Sequence, residues 1–224
     1  MSGVAWDRWV QEHGEEPNGS DRSRAERADT CSGDAKMGVE HFAGRYDTLK
    51  PVLPILGGLT GIVSIGEQLS GGWDWWIKFF GDIGFTKRSV LEIYHPNVAA
   101  IRLLPNWHKV YEADATTLDP GDVEPHDVVI WWHGPEHVRH DLVLPTVDRL
   151  VAAFSPKVII LGMPWGVHCN TERDFENPHS YHISTWFPKD WLGHGYSVAT
   201  SGAPNTPGGH ITAWRAIGER ACQA

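Results

Sequence analysis

Along this chain, short apolar runs alternate with stretches whose apolar residues recur at spacings of three and four. Thr60 to Ile65, Ser89 to Ile93, Lys109 to Ala113, Asp127 to Trp132 and Lys157 to Met163 read as strands, the last apolar on both faces as a central parallel strand is. Between them, Trp73, Trp76, Ile77 and Phe80 share one helical stripe. Val98 to Leu104 follow Pro96, whose missing donor costs nothing in a first helical turn. Val143, Val147, Leu150, Val151 and Phe154 mark a core helix from Leu142 that Pro156 stops. Tyr196 to Ser201 and His210 to Ala216, joined by a turn-rich loop, read as a closing hairpin. Strands alternating with helices predict an α/β protein with a mostly parallel sheet; the hairpin adds an antiparallel C-terminal strand, giving seven strands in all.

Before the first strand the pattern weakens. Val4 to Gln11 fit a short helix with Trp6, Trp9 and Val10 on one stripe. Glu12 to Lys36 hold almost no large apolar side chain and cannot offset the entropy of ordering. Residues 1–36 are therefore expected to be a short helix and a flexible polar segment, and 37–224 a single domain. Val39, Phe42 and Tyr46 predict a helical face ending near Pro51 and Pro54, placed to pack on the sheet edge or close over a ligand.

The chain's 224 residues suffice for one such domain and little more. A formal charge of −9 and a pI near 5.8 disfavour a broad surface for phosphate backbones, so no nucleic-acid partner is expected. No apolar run reaches the roughly 20 residues that cross a bilayer, and Met1 to Gln11 is not a charged-then-apolar leader, which predicts a cytoplasmic protein without a membrane partner. Cys31, Cys169 and Cys222 are far apart and form no CxxC pair, so reduced thiols are expected rather than a disulfide framework or thiolate zinc site. Oligomeric state is not legible.

The candidate chemistry lies at the strand ends, where a parallel sheet gathers its ligand. Gly66 opens a turn through Gly71 and Gly72, where a backbone without side chains lets a ligand approach. Glu92 closes the second strand, where a carboxylate accepts both hydroxyl protons of a ribose; the same acid would serve a nicotinamide dinucleotide. Asp114 closes the third, either for a ligand or as a turn-former. The fourth runs through Trp131 and Trp132 into His133-Gly134-Pro135-Glu136-His137, two imidazoles with a carboxylate. A histidine takes up a proton near neutral pH, as a general base must; His133 is the first candidate and His137 the second. Twelve tryptophans are many for this length, and those at or just beyond strand ends, Trp73, Trp75, Trp76, Trp131, Trp132, Trp165 and Trp186, would offer a stacking rim to a ring, a sugar or a cation.

This order of units resembles that of the class I S-adenosylmethionine-dependent methyltransferases. The run Asn177-Pro178-His179, Trp186 and Pro188-Lys189-Asp190 looks like one that many bacterial small-molecule methyltransferases carry between their fifth and sixth strands. The resemblance implies a Rossmann-like three-layer α/β/α sandwich that binds S-adenosyl-L-methionine and transfers its methyl group to a small-molecule hydroxyl or amine. It implies cofactor contacts from Ser64, Gly66, Gln68, Gly71, Glu92, Ile93, Asp114, Ala115, Trp131 and Trp132, with Asp114 at the adenine amino group. Trp73, Trp165, His179 and Trp186 would line the acceptor, and His182 joins His133 and His137 as a candidate base. The Asp-Pro-Pro-Tyr and Pro-Cys elements of the DNA-methylating families are absent from the segment after Trp132, which argues against a DNA base as acceptor.

Two rival readings share these residues. An NAD(P)-dependent oxidoreductase would use the same glycine turn and Glu92, but needs a different strand order and lacks an obvious Tyr-x-x-x-Lys pair. A non-catalytic or repurposed member of the methyltransferase fold is motivated by Ser64, Gln68 and Ser70, which depart from the acid and GxGxG pattern of the family. His133, Glu136, His137, His168, His179 and His182 could supply two imidazoles and a carboxylate to a metal; with no HExxH helix or other tight ligand spacing, no metal is expected.

Overall fold

In the computed structural model of this protein, residues 47–66, 79–168, 177–206 and 208–218 are described. They contain seven strands: β1 Gly61–Ile65, β2 Lys87–Glu92, β3 Lys109–Glu112, β4 Val128–Trp132, β5 Val158–Pro164, β6 Ser197–Ser201 and β7 His210–Ala216. Three α-helices join them: α1 His95–Ile101, α2 His140–Phe154 and α3 Pro188–Leu192. The expected helix Val4 to Gln11, the polar segment to Lys36, the stripe ending at Tyr46, and Gln68, Gly71, Trp73, Trp75 and Trp76 lie outside the described residues.

One sheet takes the order β3-β2-β1-β4-β5-β7-β6. The first five strands of that order pair in parallel, and β7 runs antiparallel to both β5 and β6. The parallel sheet with its antiparallel terminal strand is thus as the hydrophobic pattern predicts. The order differs from the 3-2-1-4-5-6 arrangement of dinucleotide-binding domains by the antiparallel strand inserted between β5 and β6.

Alternation along each strand builds the layers. Val63, Ile65, Val129, Trp131, Ile159 and Leu161 point to one face, where Val143, Val147, Leu150 and Phe154 of α2 cover them. Ile62, Ile130, Trp132 and Ile160 point to the other, under Phe79, Phe80, Phe85 and the Leu49–Leu56 segment. Val90 packs with Ile101 of α1 in a smaller cluster. Buried on both faces, β1, β4 and β5 are uniformly apolar apart from Ser64 and two glycines.

The amino ends of the central strands are tied by one side chain. Asp127, just before β4, accepts hydrogen bonds from the Thr60 and Gly61 amides at 2.9 and 3.0 Å and pairs with Lys157 at 2.8 Å. Beside it, buried His126 bridges the Glu124 carbonyl and the Ser89 hydroxyl of β2, each at 2.8 Å. Element ends depart from the sequence pattern by a few residues: β2 starts at Lys87, paired with Gly61, and α2 at His140, because hydrophobic periodicity registers only once a residue is buried.

Candidate active site at the carboxyl ends of the strands

From β1 the chain builds outward through β2 to β3, then returns to place β4 on the opposite side of β1. That reversal opens a crevice at the carboxyl ends of β1 and β4. Gly66 stands at its lip with φ 69°, and its amide donates to the Leu91 carbonyl at 2.7 Å. No atom lies within 4 Å of where its Cβ would be, so this position has both the left-handed backbone and the open space expected of a ligand turn. Ser64, two residues earlier, is buried on the Ile62 face.

Glu92 closes β2 and is 3% exposed; its Oε1 accepts the Tyr94 amide at 2.7 Å. Glu112, its register partner on β3, takes His95 at 2.7 Å and Arg102 at 3.3 Å, and the His95 hydrogen bond foremost holds its carboxyl below the usual range. Ile93 is half-buried just beyond Glu92. Asp114 turns the chain after β3: its Oδ1 accepts from both the amide and hydroxyl of Thr116 at 2.8 Å, so one carboxylate oxygen is the turn-former the sequence allowed. Ala115 packs partly against the α2 core.

The tryptophan rim is smaller than expected. Trp131 is buried in the α2 core, and Trp186 is 2% exposed, stacked on His140 at 4.2 Å with its Nε1 donating to Ser184. Both fill the interior, because their backbone positions face α2 and α3 rather than the crevice. Trp165 is half-buried against the same core and held by the Gly209 carbonyl. Trp132 faces the other side, tilted on His210 at 4.6 Å, and leaves no room for a Cβ at Gly162. His179 is exposed on the Pro178–Ser180 turn.

The imidazoles that do converge are His133, His137 and His182. His133 leaves β4 with φ 52°, a left-handed backbone rare outside glycine, fixed by its amide bond to Gly162 at 2.8 Å. Its Nδ1 meets Oε1 of Glu136 at 3.0 Å, and its ring lies 5.2 Å from that of His210. Glu136 is 2% exposed. Burial alone would raise its pKa; the His133 hydrogen bond and the charges of His137 and His133 outweigh that and hold it at about 2. An ionised carboxylate only accepts, so His133 donates from Nδ1.

His182 arrives from a distant segment by main-chain bonds: the amides of Ile183 and Ser184 donate to the Glu136 carbonyl at 2.8 and 3.1 Å, and the Ser184 hydroxyl donates to that of Pro135 at 2.9 Å. The His182 ring sits 4.9 Å from that of His137. Burial pushes the His182 pKa down to about 4 against the pull of Glu136, which makes it a poor acceptor of protons near neutrality. Its candidacy as a base therefore weakens, while a neutral imidazole suits a cation ligand. Glu136 is the residue the sequence reading undervalued; its place three after His133 and one before His137 was the available signal.

No family model matches the chain, and no curated protein matches it. Solved structures do. DhpI in complex with SAH is 18% identical with a TM-score of 0.53, over 85% of this chain and 92% of that one. The N-terminal domain of EvdMO1 with SAH bound is 17% identical with a TM-score of 0.51, over 77% and 81%. The small RNA methyltransferase HEN1 is 13% identical with a TM-score of 0.51, over 76% of this chain and 25% of that one. At these identities the likeness is one of fold.

Proposed function

We propose that this chain, which has the class I methyltransferase fold, is an S-adenosylmethionine-dependent methyltransferase acting on a hydroxyl or amine of a small molecule. One observation carries the reading. The buried Glu92 carboxylate ends β2 beside Gly66, whose left-handed turn leaves open space, in a sheet of order 3-2-1-4-5-7-6.

These residues fit the cofactor. Glu92 would take the ribose hydroxyls, Gly66 would admit the chain of the donor, and Asp114, Ala115 and Ile93 would bound the base. When bound, S-adenosylmethionine supplies an electrophilic methyl group. The protein's share is to hold the acceptor in line and remove one proton, and His133 does the latter through Nε2 while Glu136 holds the ring from Nδ1. Trp132, the last residue of β4, would contribute apolar wall at the strand end. The neighbours crystallised with SAH support the cofactor assignment. The formal charge of −9 supports a small acceptor over a polyanionic one. Among the described residues no helix is long and apolar enough to cross a membrane.

Calorimetry with S-adenosylmethionine, S-adenosylhomocysteine (SAH) and NAD tests the reading, followed by transfer of labelled methyl to pooled small hydroxyl and amine compounds. Heat with the two sulfur nucleosides and not with NAD is the expected result. Heat with NAD alone returns the oxidoreductase, and no heat with any returns a repurposed, non-catalytic fold.

A further inference from the structure

Glu136, His137 and His182 bring one carboxylate oxygen and two imidazole nitrogens within 4.8 Å of one another. Methyl transfer as proposed above makes no use of them as a set. Each ring commits Nδ1 to a main-chain carbonyl: His137 to Tyr181 and His182 to His168, both at 3.1 Å. A carbonyl acceptor on Nδ1 places the hydrogen there and leaves the lone pair on Nε2, the arrangement that orients a metal-ligating histidine.

The carboxylate adds the second sign. Glu136 is 2% exposed and spends Oε1 on His133, yet its Oε2 has no hydrogen-bond partner among the described residues, and neither has His137 Nε2. The latter lies 3.9 Å from Oε1 of the same carboxylate. Buried ionised carboxylates are normally satisfied in full or bound to a cation, and an acceptor oxygen left beside an acceptor nitrogen is costly unless something positive lies between them.

We infer that Glu136, His137 and His182 bind a divalent first-row transition ion, such as Zn2+, Mn2+ or Co2+, through one carboxylate oxygen and the two Nε2 atoms. Two imidazoles with a carboxylate select this class over Mg2+ and Ca2+, which take oxygen donors. Donors sharing one such ion lie about 3 to 4 Å apart, so the three side chains need close only slightly. The backbone bonds from Ile183 and Ser184 to Glu136 hold the two ligand segments in register whether or not an ion is present. Three protein ligands leave coordination positions open beside His133. Resting on the methyl-transfer reading, those positions receive an oxygen of the acceptor, which narrows it to a hydroxyl-bearing molecule.

Co2+ is the probe, titrated into the full chain after chelation and read by visible absorption without any nucleoside present. One equivalent should bind with d–d bands, and His137→Ala or His182→Ala should weaken binding about 100-fold or more, while His194→Ala, which removes an exposed imidazole after α3, should leave it unchanged. Should either variant fail to fold, paramagnetic NMR of the natural protein serves instead: bound Co2+ should shift or broaden the imidazole resonances of His137 and His182 and spare those of His194. The site is overturned by the absence of stoichiometric binding, by binding that survives both substitutions, or by His137 and His182 resonances that do not respond to Co2+. Loss of Co2+ binding with SAH binding intact ends this inference alone, and the reverse ends the cofactor assignment alone.

Discussion

Glu136 accepts the Nδ1 hydrogen of His133 across 3.0 Å from an almost fully buried position. The carboxylate fixes the tautomer and the pose of a ring whose backbone is itself held in the left-handed region. Such a pairing is how an imidazole is made ready to take a proton from a nucleophile. His133→Ala should lower turnover by about 10²- to 10⁴-fold while leaving SAH affinity unchanged, as read by methyl-transfer kinetics alongside calorimetry. Equal losses of turnover and affinity would reduce His133 to a structural role.

Glu92→Gln tests the nucleoside site. The amide keeps an acceptor for the Tyr94 N–H, now met by Oε1 at 2.7 Å, and so spares the fold while removing the charge and one acceptor. Losing charge-assisted bonds to two hydroxyls should cost about 1.5–3 kcal/mol, a roughly 10- to 100-fold weaker SAH complex by calorimetry. An unchanged affinity would remove the ribose from Glu92.

The sheet was legible because each parallel strand is buried on both faces and so reads as an apolar run, and Glu92 and Gly66 were legible because they sit where such a run ends. The tryptophans misled for a physical reason. An indole at a strand end has the same sequence signature whether it faces a crevice or a helix, and parity alone sends Trp131 under α2 while Trp132 meets His210. The resemblance grouped His182 with His133 and His137, but the main-chain bonds from Ile183 and Ser184 to Glu136 that bring it there leave no mark in side-chain identity.

Gly162 lies opposite Trp132 in the β4–β5 ladder, and a Cβ there would overlap the indole ring. Its carbonyl also holds the His133 amide. Gly162→Ala should destabilise the protein by about 1–3 kcal/mol through overpacking. Because the displaced indole adjoins His133 and His210, turnover should fall further than thermal unfolding alone explains. Wild-type stability in denaturant titration would show that the ring moves freely and that the position is not packing-critical.

His126 is buried between Ser89 and the Glu124 carbonyl, and burial holds its pKa below the ordinary value. The unfolded chain takes up this proton below about pH 6.5, whereas the folded chain resists it. Stability should therefore decline as pH falls from about 6.5 toward the depressed folded value, and level off below it. Urea titrations between pH 7.5 and 5 on the natural chain and on His126→Gln isolate the effect. A variant with the same slope would assign the decline to other groups.

Asp127 carries the opposite sign. Burial alone would raise its carboxyl, but the Lys157 hydrogen bond and the Thr60 and Gly61 amides outweigh it and hold the group well below the usual carboxylate range. A depressed folded pKa contributes stability in full above the unfolded value of about 3.9, and that contribution disappears as pH falls through the folded value. Asp127→Ala leaves two strand-end amides without their acceptor and frees Lys157, which is mostly in solvent. Weighting the amides over the screened ammonium, the loss at neutral pH should be about 1–2 kcal/mol. Asp127→Asn should recover part of it, because the amide oxygen still caps one strand. Acid titration of unfolding checks the sign: the gap between wild type and Asp127→Ala should be constant above about pH 5 and narrow at lower pH. A gap that widens on acidification would mean that the clamp at the amino ends of β1, β4 and β5 works through packing and not through charge.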